Sequence, residues 1–88
     1  VEGMGEYLKI HFISDRKPLM ILSSMKKMEK HLANNSFMRI HRSWIINLMD
    51  ISEVNKNRIL MNDGVFVPIG DMYREGFLNY VDSKFLDK

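Results

Sequence analysis

Short apolar runs, each bounded by turn-forming residues, are the feature that most constrains the fold of this chain. Tyr7–Ile13 alternates apolar and polar side chains, which is typical of a half-buried strand. After a turn at 14–17, Leu19–Leu22 forms a second apolar run, and Pro18 before it favours a sheet edge because proline donates no hydrogen bond. The two runs predict a β-hairpin, with the glycine-containing segment Val1–Glu6 as a loop leading into it.

Two segments have helical spacing instead. The first, predicted over 25–32, follows two serines that can cap it and ends near Asn34 and Asn35. The second, Met72–Leu86, begins after Asp71, which we interpret as its N-cap. Apolar side chains on one face of this second helix are Tyr73, Phe77, Val81 (or Tyr80) and Phe85.

The rest of the chain has strand character. Strands are predicted at 37–40, 51–54, 58–61 and 65–69, with a hairpin turn at Asn62–Gly64, while Trp44–Asn47 fits either a strand or a tight helical turn. No strand–helix–strand rhythm is present. The sequence therefore predicts one domain over residues 1–88, mainly β (α+β), in which antiparallel β-sheets of short strands carry one short helix after the second strand and a C-terminal helix.

The composition excludes several classes of protein. The 88 residues include no cysteine, which rules out a disulfide framework or a thiolate metal site and fits a cytoplasmic location. No apolar run approaches the roughly 20 residues that span a bilayer, so no membrane partner is expected. The three histidines lack metal-ligand spacing and there is no glycine-rich phosphate loop, so we expect no metal and no cofactor.

The net charge of +2 is unevenly distributed. Residues 7–42 contain eight Lys or Arg against two acidic residues, whereas residues 43–88 contain five against seven. A basic excess of this kind favours a polyanionic partner, although a solvated lysine-rich face explains it equally well.

The basic part ends in the segment Phe37–Leu48, which reads FMRIHRSWIINL. It holds the polar tripeptide His41-Arg42-Ser43 between apolar anchors, of which we expect Trp44 to be largely buried. Polar groups on a rigid base are typical of a recognition surface. The Arg42 guanidinium can bind phosphate or guanine, and His41 and Ser43 can donate to phosphate oxygens.

Other roles for residues of this segment stay open. Ser43 and Asn47 can instead hydrogen-bond to the backbone, and for Asn47 we favour that role. Arg39 fits either an ion pair or a phosphate contact. A nucleophilic Ser43 with His41 as its base would need a third orienting group that the sequence does not offer, so we do not expect an enzyme.

The pattern F-x-R-I-H-R-S-x-I-x-N-L resembles the central signature of LytTR-type DNA-binding domains, the output domains of LytR/AlgR-family response regulators. Segments 2–10 (EGMGEYLKI) and 67–74 (VPIGDMYR) are similar to that family's early strand-loop-strand and late strand-turn-helix. The resemblance implies a LytTR-like fold that binds double-stranded DNA through loops in successive major grooves. It also implies control of transcription by a two-component response regulator, with a receiver domain in cis and a homodimer on DNA. Relatives have a further strand before the position of Val1, and its absence here would leave a sheet edge open.

By motif position, the resemblance places DNA-reading elements near Tyr7, at Arg42 and at the strand-to-helix turn, where Asp71 stands in place of a residue that is often basic. Asp71 fits a cytosine contact or, as we prefer, a helix cap, and Arg74 one turn later can supply the missing positive charge. The DNA-binding residues predicted in this way are Tyr7, Lys9, His41, Arg42, Ser43, Asn47, Asp71 and Arg74.

A function of another class is also compatible with the sequence. Eight methionines in 88 residues can make an adaptable surface, and an open sheet edge can pair with another chain. The alternative is therefore a protein–protein interaction module that uses the Met-rich surface or the open edge.

Overall fold

The computed structural model describes residues 1–12, 16–33 and 36–86. In these ranges the elements are, in chain order, β1 (Glu2–Met4), β2 (Tyr7–Ile10), β3 (Leu19–Leu22), α1 (Met25–His31), β4 (Phe37–His41), β5 (Trp44–Asn47), β6 (Ile51–Val54), β7 (Arg58–Met61), β8 (Phe66–Pro68) and α2 (Asp71–Val81). A 3₁₀ turn (Leu48–Asp50) joins β5 to β6, and a π-helical turn (Asp82–Leu86) follows α2. The predicted fold class is confirmed, since short antiparallel strands dominate and both helices lie where they were expected.

Some predictions fall outside the described residues. These are the end of the first predicted strand and the start of the turn that follows it, at 13–15, and the asparagines at 34 and 35, near which the first helix is expected to end. The side chain of Phe85, predicted for the apolar stripe, also lies outside the described part.

The first sheet contains five strands in the order β3-β2-β1-β5-β4, all antiparallel. Its middle strand corrects the expectation of a loop over Val1–Glu6, because Glu2 pairs with Lys9 on one side and with Trp44 on the other. Only the turn after Met4 is loop-like, and Gly5 adopts a positive φ of 66° there, which glycine tolerates. Pairing with β5, which is 42 residues away in the chain, makes this glycine-containing segment a strand.

The edges of this sheet are β3 and β4 in the described part of the chain. The edge position that Pro18 predicted for β3 is confirmed. The strand at the start of the chain is not itself an edge. The pairing between β5 and β1 is short, however: among the residues of β5, only Trp44 and Ile45 have described backbone partners on the side of β1.

The second sheet is a three-stranded meander, β6-β7-β8. The predicted turn at Asn62–Gly64 joins its last two strands. Gly64 has a φ of 87°, and the Asp63 carboxylate accepts a hydrogen bond of 3.1 Å from the Val65 backbone N–H. Aspartate and glycine in such a turn are the residues that this backbone geometry favours.

The main core lies where the second sheet and α2 pack against the β4–β5 end of the first sheet. Phe77 of α2 is completely buried, and Tyr80 and Val81 pack beside it, so this part of the predicted apolar stripe is confirmed. The buried members of this core are Ile40, Ile46, Ile59, Val67, Ile69 and Phe77.

Helix α1 covers the opposite face of the first sheet. A Cβ atom on Gly3 would come within 3.1 Å of the Met25 side chain, so the start of the helix lies over β1, while the helix also contacts β4 and β5. Leu8, the cross-strand partner of Gly3, is buried on this face. The Ser24 hydroxyl accepts a hydrogen bond of 3.1 Å from the Lys27 N–H and caps the helix, which at seven residues is shorter than expected.

Trp44 is less buried than its place in an apolar run predicts. It is half-buried, and its indole stacks on the His11 ring with centroids 5.6 Å apart. The His11 Nε2 atom in turn lies 3.0 Å from the Glu2 carboxylate. A polar pair therefore covers one face of the indole, in place of the apolar neighbours that were expected.

Candidate nucleic-acid interface

Arg42 and Ser43 form the tight turn between β4, which ends at His41, and β5. The pairing register shifts between Arg39 and His41, and such a bulge bends the end of the strand. Arg42 stands at the tip and is exposed. Within residues 1–12, 16–33 and 36–86, its guanidinium has no hydrogen bond or ion pair. The five N–H groups of that side chain remain available to a partner.

His41 stabilises the turn and also offers a donor. Its Nδ1 atom accepts a hydrogen bond of 3.0 Å from the Ser43 backbone N–H, so in the neutral ring the proton lies on Nε2. The ring is half-buried. This geometry does not support a nucleophile–base pair, because the group that His41 contacts is the backbone nitrogen of Ser43 and not its hydroxyl.

Arg39 braces the same turn from the α1 side of the sheet. Its Nη2 atom donates to the Arg42 carbonyl at 2.6 Å and its Nε atom donates to the His41 carbonyl at 3.3 Å. Its Nη1 atom forms an ion pair of 3.1 Å with Glu29 of α1. Of the two roles that the sequence left open for Arg39, the structure shows the ion pair. Sequence reasoning missed the brace, because nothing in the local pattern indicates which carbonyls the guanidinium reaches.

Two further turns lie at the same end of the first sheet. The Gly3 N–H donates to the Ser43 carbonyl at 2.7 Å, so β1 runs past this turn and leads directly into the β1–β2 turn, residues 5–6. The Gly70 N–H donates to the Ile40 carbonyl at 2.8 Å. This bond places the start of α2 against β4, near the end of that strand. We call these three turns, residues 5–6, 42–43 and 69–70, the turn end of the domain.

Gly70 permits the close approach of α2. A Cβ atom there would lie 3.3 Å from the His41 Cα atom and 3.1 Å from the Tyr73 ring, both closer than ordinary contact. Its φ of −74° is accessible to any residue, so the requirement for glycine is one of space and not of backbone conformation. Nothing in the sequence indicates this role beyond the position of the glycine before the helix.

Tyr7 lies at the turn end, whereas Lys9 lies further from it. Tyr7 begins β2 directly after the β1–β2 turn, and 48% of its surface is exposed. Lys9 is two residues further along the strand on the same face, about 7 Å away at the usual rise per residue, and is half-buried.

Asn47 does not join this group of residues. It ends β5, about 10 Å from Trp44 at the usual rise, and its Oδ1 atom accepts a hydrogen bond of 3.0 Å from the Met49 N–H. The amide thereby caps the 3₁₀ turn, so the backbone role favoured for Asn47 is confirmed.

Asp71 corrects the expectation of a helix cap. The N-cap of α2 is Gly70, which makes no side-chain cap bond, and Asp71 is already the first residue of the helix. Its carboxylate is 98% exposed and forms an ion pair of 3.3 Å with Arg74, one turn later. A negative charge in the first turn is still favourable, because it faces the positive end of the helix dipole.

Arg74 is held by the protein itself. Its guanidinium donates to the Lys56 carbonyl at 2.8 Å, to the Ile69 carbonyl at 3.3 Å and to the side chains of Asn57 and Asp71. These bonds tie the start of α2 to the β6–β7 connection. The residue expected to supply positive charge for DNA is therefore used to position the helix.

A metal site and a membrane-spanning helix find no support among the residues that the structure describes. There, no three residues of the kinds His, Cys, Asp or Glu come together as metal ligands would. Nor does any helix described have the length and apolar character that crossing a bilayer requires.

Comparison with known proteins gives one family. The family model described as LytTr DNA-binding domain matches residues 1–82 of the 88 residues. No curated protein and no solved structure matches the chain.

Proposed function

The chain belongs to the LytTr DNA-binding domain family, and on that premise we propose that it reads specific sequences of double-stranded DNA with its turn end. The observation that supports this most is that the Arg42 guanidinium is exposed and has no described partner, while the turn that carries it is held by a hydrogen bond from Arg39. A rigid guanidinium fork matches the O6 and N7 acceptors of guanine in the major groove. No enzymatic activity is proposed, because the family is one of DNA-binding domains.

The neighbouring residues divide into two roles in this proposal. His41, through Nε2, and Ser43, through its hydroxyl, contact phosphates beside the base that Arg42 reads. Tyr7 extends the interface along the β1–β2 turn, and Lys9 adds positive charge behind it. Asp71 and Arg74 act through the position of α2, and Asn47 acts through the 3₁₀ turn, so none of these three carries base recognition.

The proposal extends to the longer protein. Domains of this family are typical outputs of response regulators, so we place a receiver domain in cis, whose phosphorylation promotes a homodimer on repeated half-sites and so controls transcription. The same context places the protein in the cytoplasm.

Selection of duplexes from a randomised pool by the domain, followed by titration at several salt concentrations, tests the proposal. We expect an enriched sequence motif and an affinity that falls steeply as salt rises, because bound phosphates release counterions. Lys84→Ala is the control variant, because it removes one positive charge that lies away from the turn end. Lys84 is exposed and lies beside Leu48 and Met49, at the far end of β5 from the turn end, so its removal should leave affinity unchanged. Absence of binding to any duplex at low salt would contradict the proposal.

A protein–protein interaction module remains the second candidate, because the first sheet exposes an apolar row. Met4, Tyr7 and Leu22 are cross-strand neighbours and are 47%, 48% and 72% exposed, with Met20 on the same face at 48%. The titration separates the two candidates, since an interaction module of this kind predicts no salt-dependent binding to DNA.

A further inference from the structure

We infer that Arg39 is a positioning residue for DNA recognition, which sets the orientation of Arg42 without touching DNA itself. The inference rests on the proposed function. It assigns to the ion pair between Glu29 and Arg39 the task of fixing the recognition turn to helix α1.

The Arg39 guanidinium contacts three groups at once. The Nε, Nη1 and Nη2 atoms of Arg39 each have a partner within 3.3 Å: Nε and Nη2 donate to the adjacent carbonyls of His41 and Arg42, and Nη1 donates to Glu29 of α1. A planar guanidinium can donate in several fixed directions at once, which a lysine ammonium on its flexible stem does not reproduce.

Arg39 also holds the backbone of the turn. The register shift between Arg39 and His41 disrupts the β ladder at this point. At the end of the ladder, where His41 pairs with Trp44, the carbonyls of His41 and Arg42 both accept hydrogen bonds from Arg39. The guanidinium thus bonds to two consecutive carbonyls of the turn and fixes the backbone from which the Arg42 side chain extends.

The charge of Arg39 is poorly accessible to DNA. The Arg39 side chain is only 19% exposed, the Glu29 carboxylate neutralises it, and its guanidinium lies 5.8 Å from the centre of the Tyr73 ring of α2. A phosphate would have to displace Glu29 to use this charge. Glu29 is also the only acidic residue in α1, whose other charged residues are lysines and a histidine.

Arg39→Lys and Glu29→Ala test this role on a duplex selected by the unaltered domain. We expect Arg39→Lys to weaken binding about tenfold, as follows from the loss of two hydrogen bonds of ordinary strength, although the charge is kept. Glu29→Ala should weaken binding about threefold, which is a smaller effect because the two carbonyl bonds remain. Neither variant should change the dependence of affinity on salt, since neither removes a phosphate contact.

A double-mutant cycle with Arg42→Ala separates positioning from a general loss of structure. If Arg39 acts through Arg42, Arg39→Lys should weaken binding by less than about twofold once Arg42 is alanine. The inference would be overturned if the fold-losses in affinity of the two single variants multiplied in the double variant. It would also be overturned if Arg39→Lys bound the duplex with wild-type affinity. If circular dichroism shows that Arg39→Lys does not fold, the cycle of Glu29→Ala with Arg42→Ala decides by the same criterion.

Failure of the inference differs from failure of the proposed function. A domain that binds no duplex contradicts the function and the inference together. A domain that binds its selected duplex, but is insensitive to Arg39→Lys and Glu29→Ala, contradicts only the role of Arg39.

Discussion

The Arg39 guanidinium donates a hydrogen bond of 2.6 Å to the backbone carbonyl of Arg42, three residues further along the chain. One arginine thus holds the peptide of another, while the second extends its own guanidinium into solvent. Because the first is tied to Glu29 and the second is exposed, two residues of the same type have opposite roles. The predictions below depend on this division between residues that build the turn end and residues that face a partner.

Helix capping should differ between the two helices. Ser24→Ala removes the hydroxyl that accepts from the Lys27 N–H, and we expect the free energy of unfolding to fall by about 0.5–2 kcal/mol. Asp71→Ala removes no cap bond, so its effect should be smaller and typical of an exposed ion pair. Urea denaturation of both variants measures the difference. A larger loss in Asp71→Ala than in Ser24→Ala would show that the carboxylate caps α2 in solution.

Arg74 should matter for stability and not for contact with DNA. Arg74→Ala removes donors from the Lys56 and Ile69 carbonyls, and hydrogen bonds from a charged donor contribute about 1.5–3 kcal/mol. We expect thermal unfolding at a lower temperature, with the salt dependence of DNA binding unchanged. A variant that unfolds like the wild type, but binds DNA with a weaker salt dependence, would instead make Arg74 a phosphate contact.

Trp44 should be partly accessible to a quencher. Its indole is half-buried and stacks on His11, so we expect iodide to quench its fluorescence less than in the unfolded chain but measurably. His11→Ala uncovers one face of the ring and should increase quenching. His31→Ala is the control, because His31 lies on the exposed side of α1. Equal quenching in the wild type and in His11→Ala would mean that the stacked pair does not persist in solution.

Local sequence patterns predict most of the elements. Alternation identifies β2, the run before α1 identifies β3, and Asp63 with Gly64 identifies the last hairpin turn. Each of these signals depends on residues that are neighbours in the chain, where spacing and turn chemistry are sufficient. The resemblance of residues 37–48 identified the family on similar local grounds, and the family match over residues 1–82 confirms it.

Features that depend on distant partners were not predictable. β1 looked like a loop because it contains Gly3 and is followed by Gly5, but Trp44 supplies the pairing that makes it a strand. Asp71 is a favoured N-cap residue, but α2 begins one residue earlier than predicted, after Gly70, whose N–H donates to the Ile40 carbonyl. The brace by Arg39 joins three elements, and no spacing in one segment encodes such a contact. Nonlocal contacts override local preference at these positions.

The most direct test of this account is the affinity of Arg42→Ala for the selected duplex and for duplexes with single base pairs changed. The Arg42 guanidinium has no partner in the described part of the chain, so its removal should leave the free energy of unfolding unchanged. We expect a loss of about 1–3 kcal/mol in binding, with discrimination lost at one base pair and kept at the others. An equal loss on every duplex would make Arg42 a phosphate contact. Unchanged affinity and unchanged discrimination would contradict the claim that this turn reads DNA.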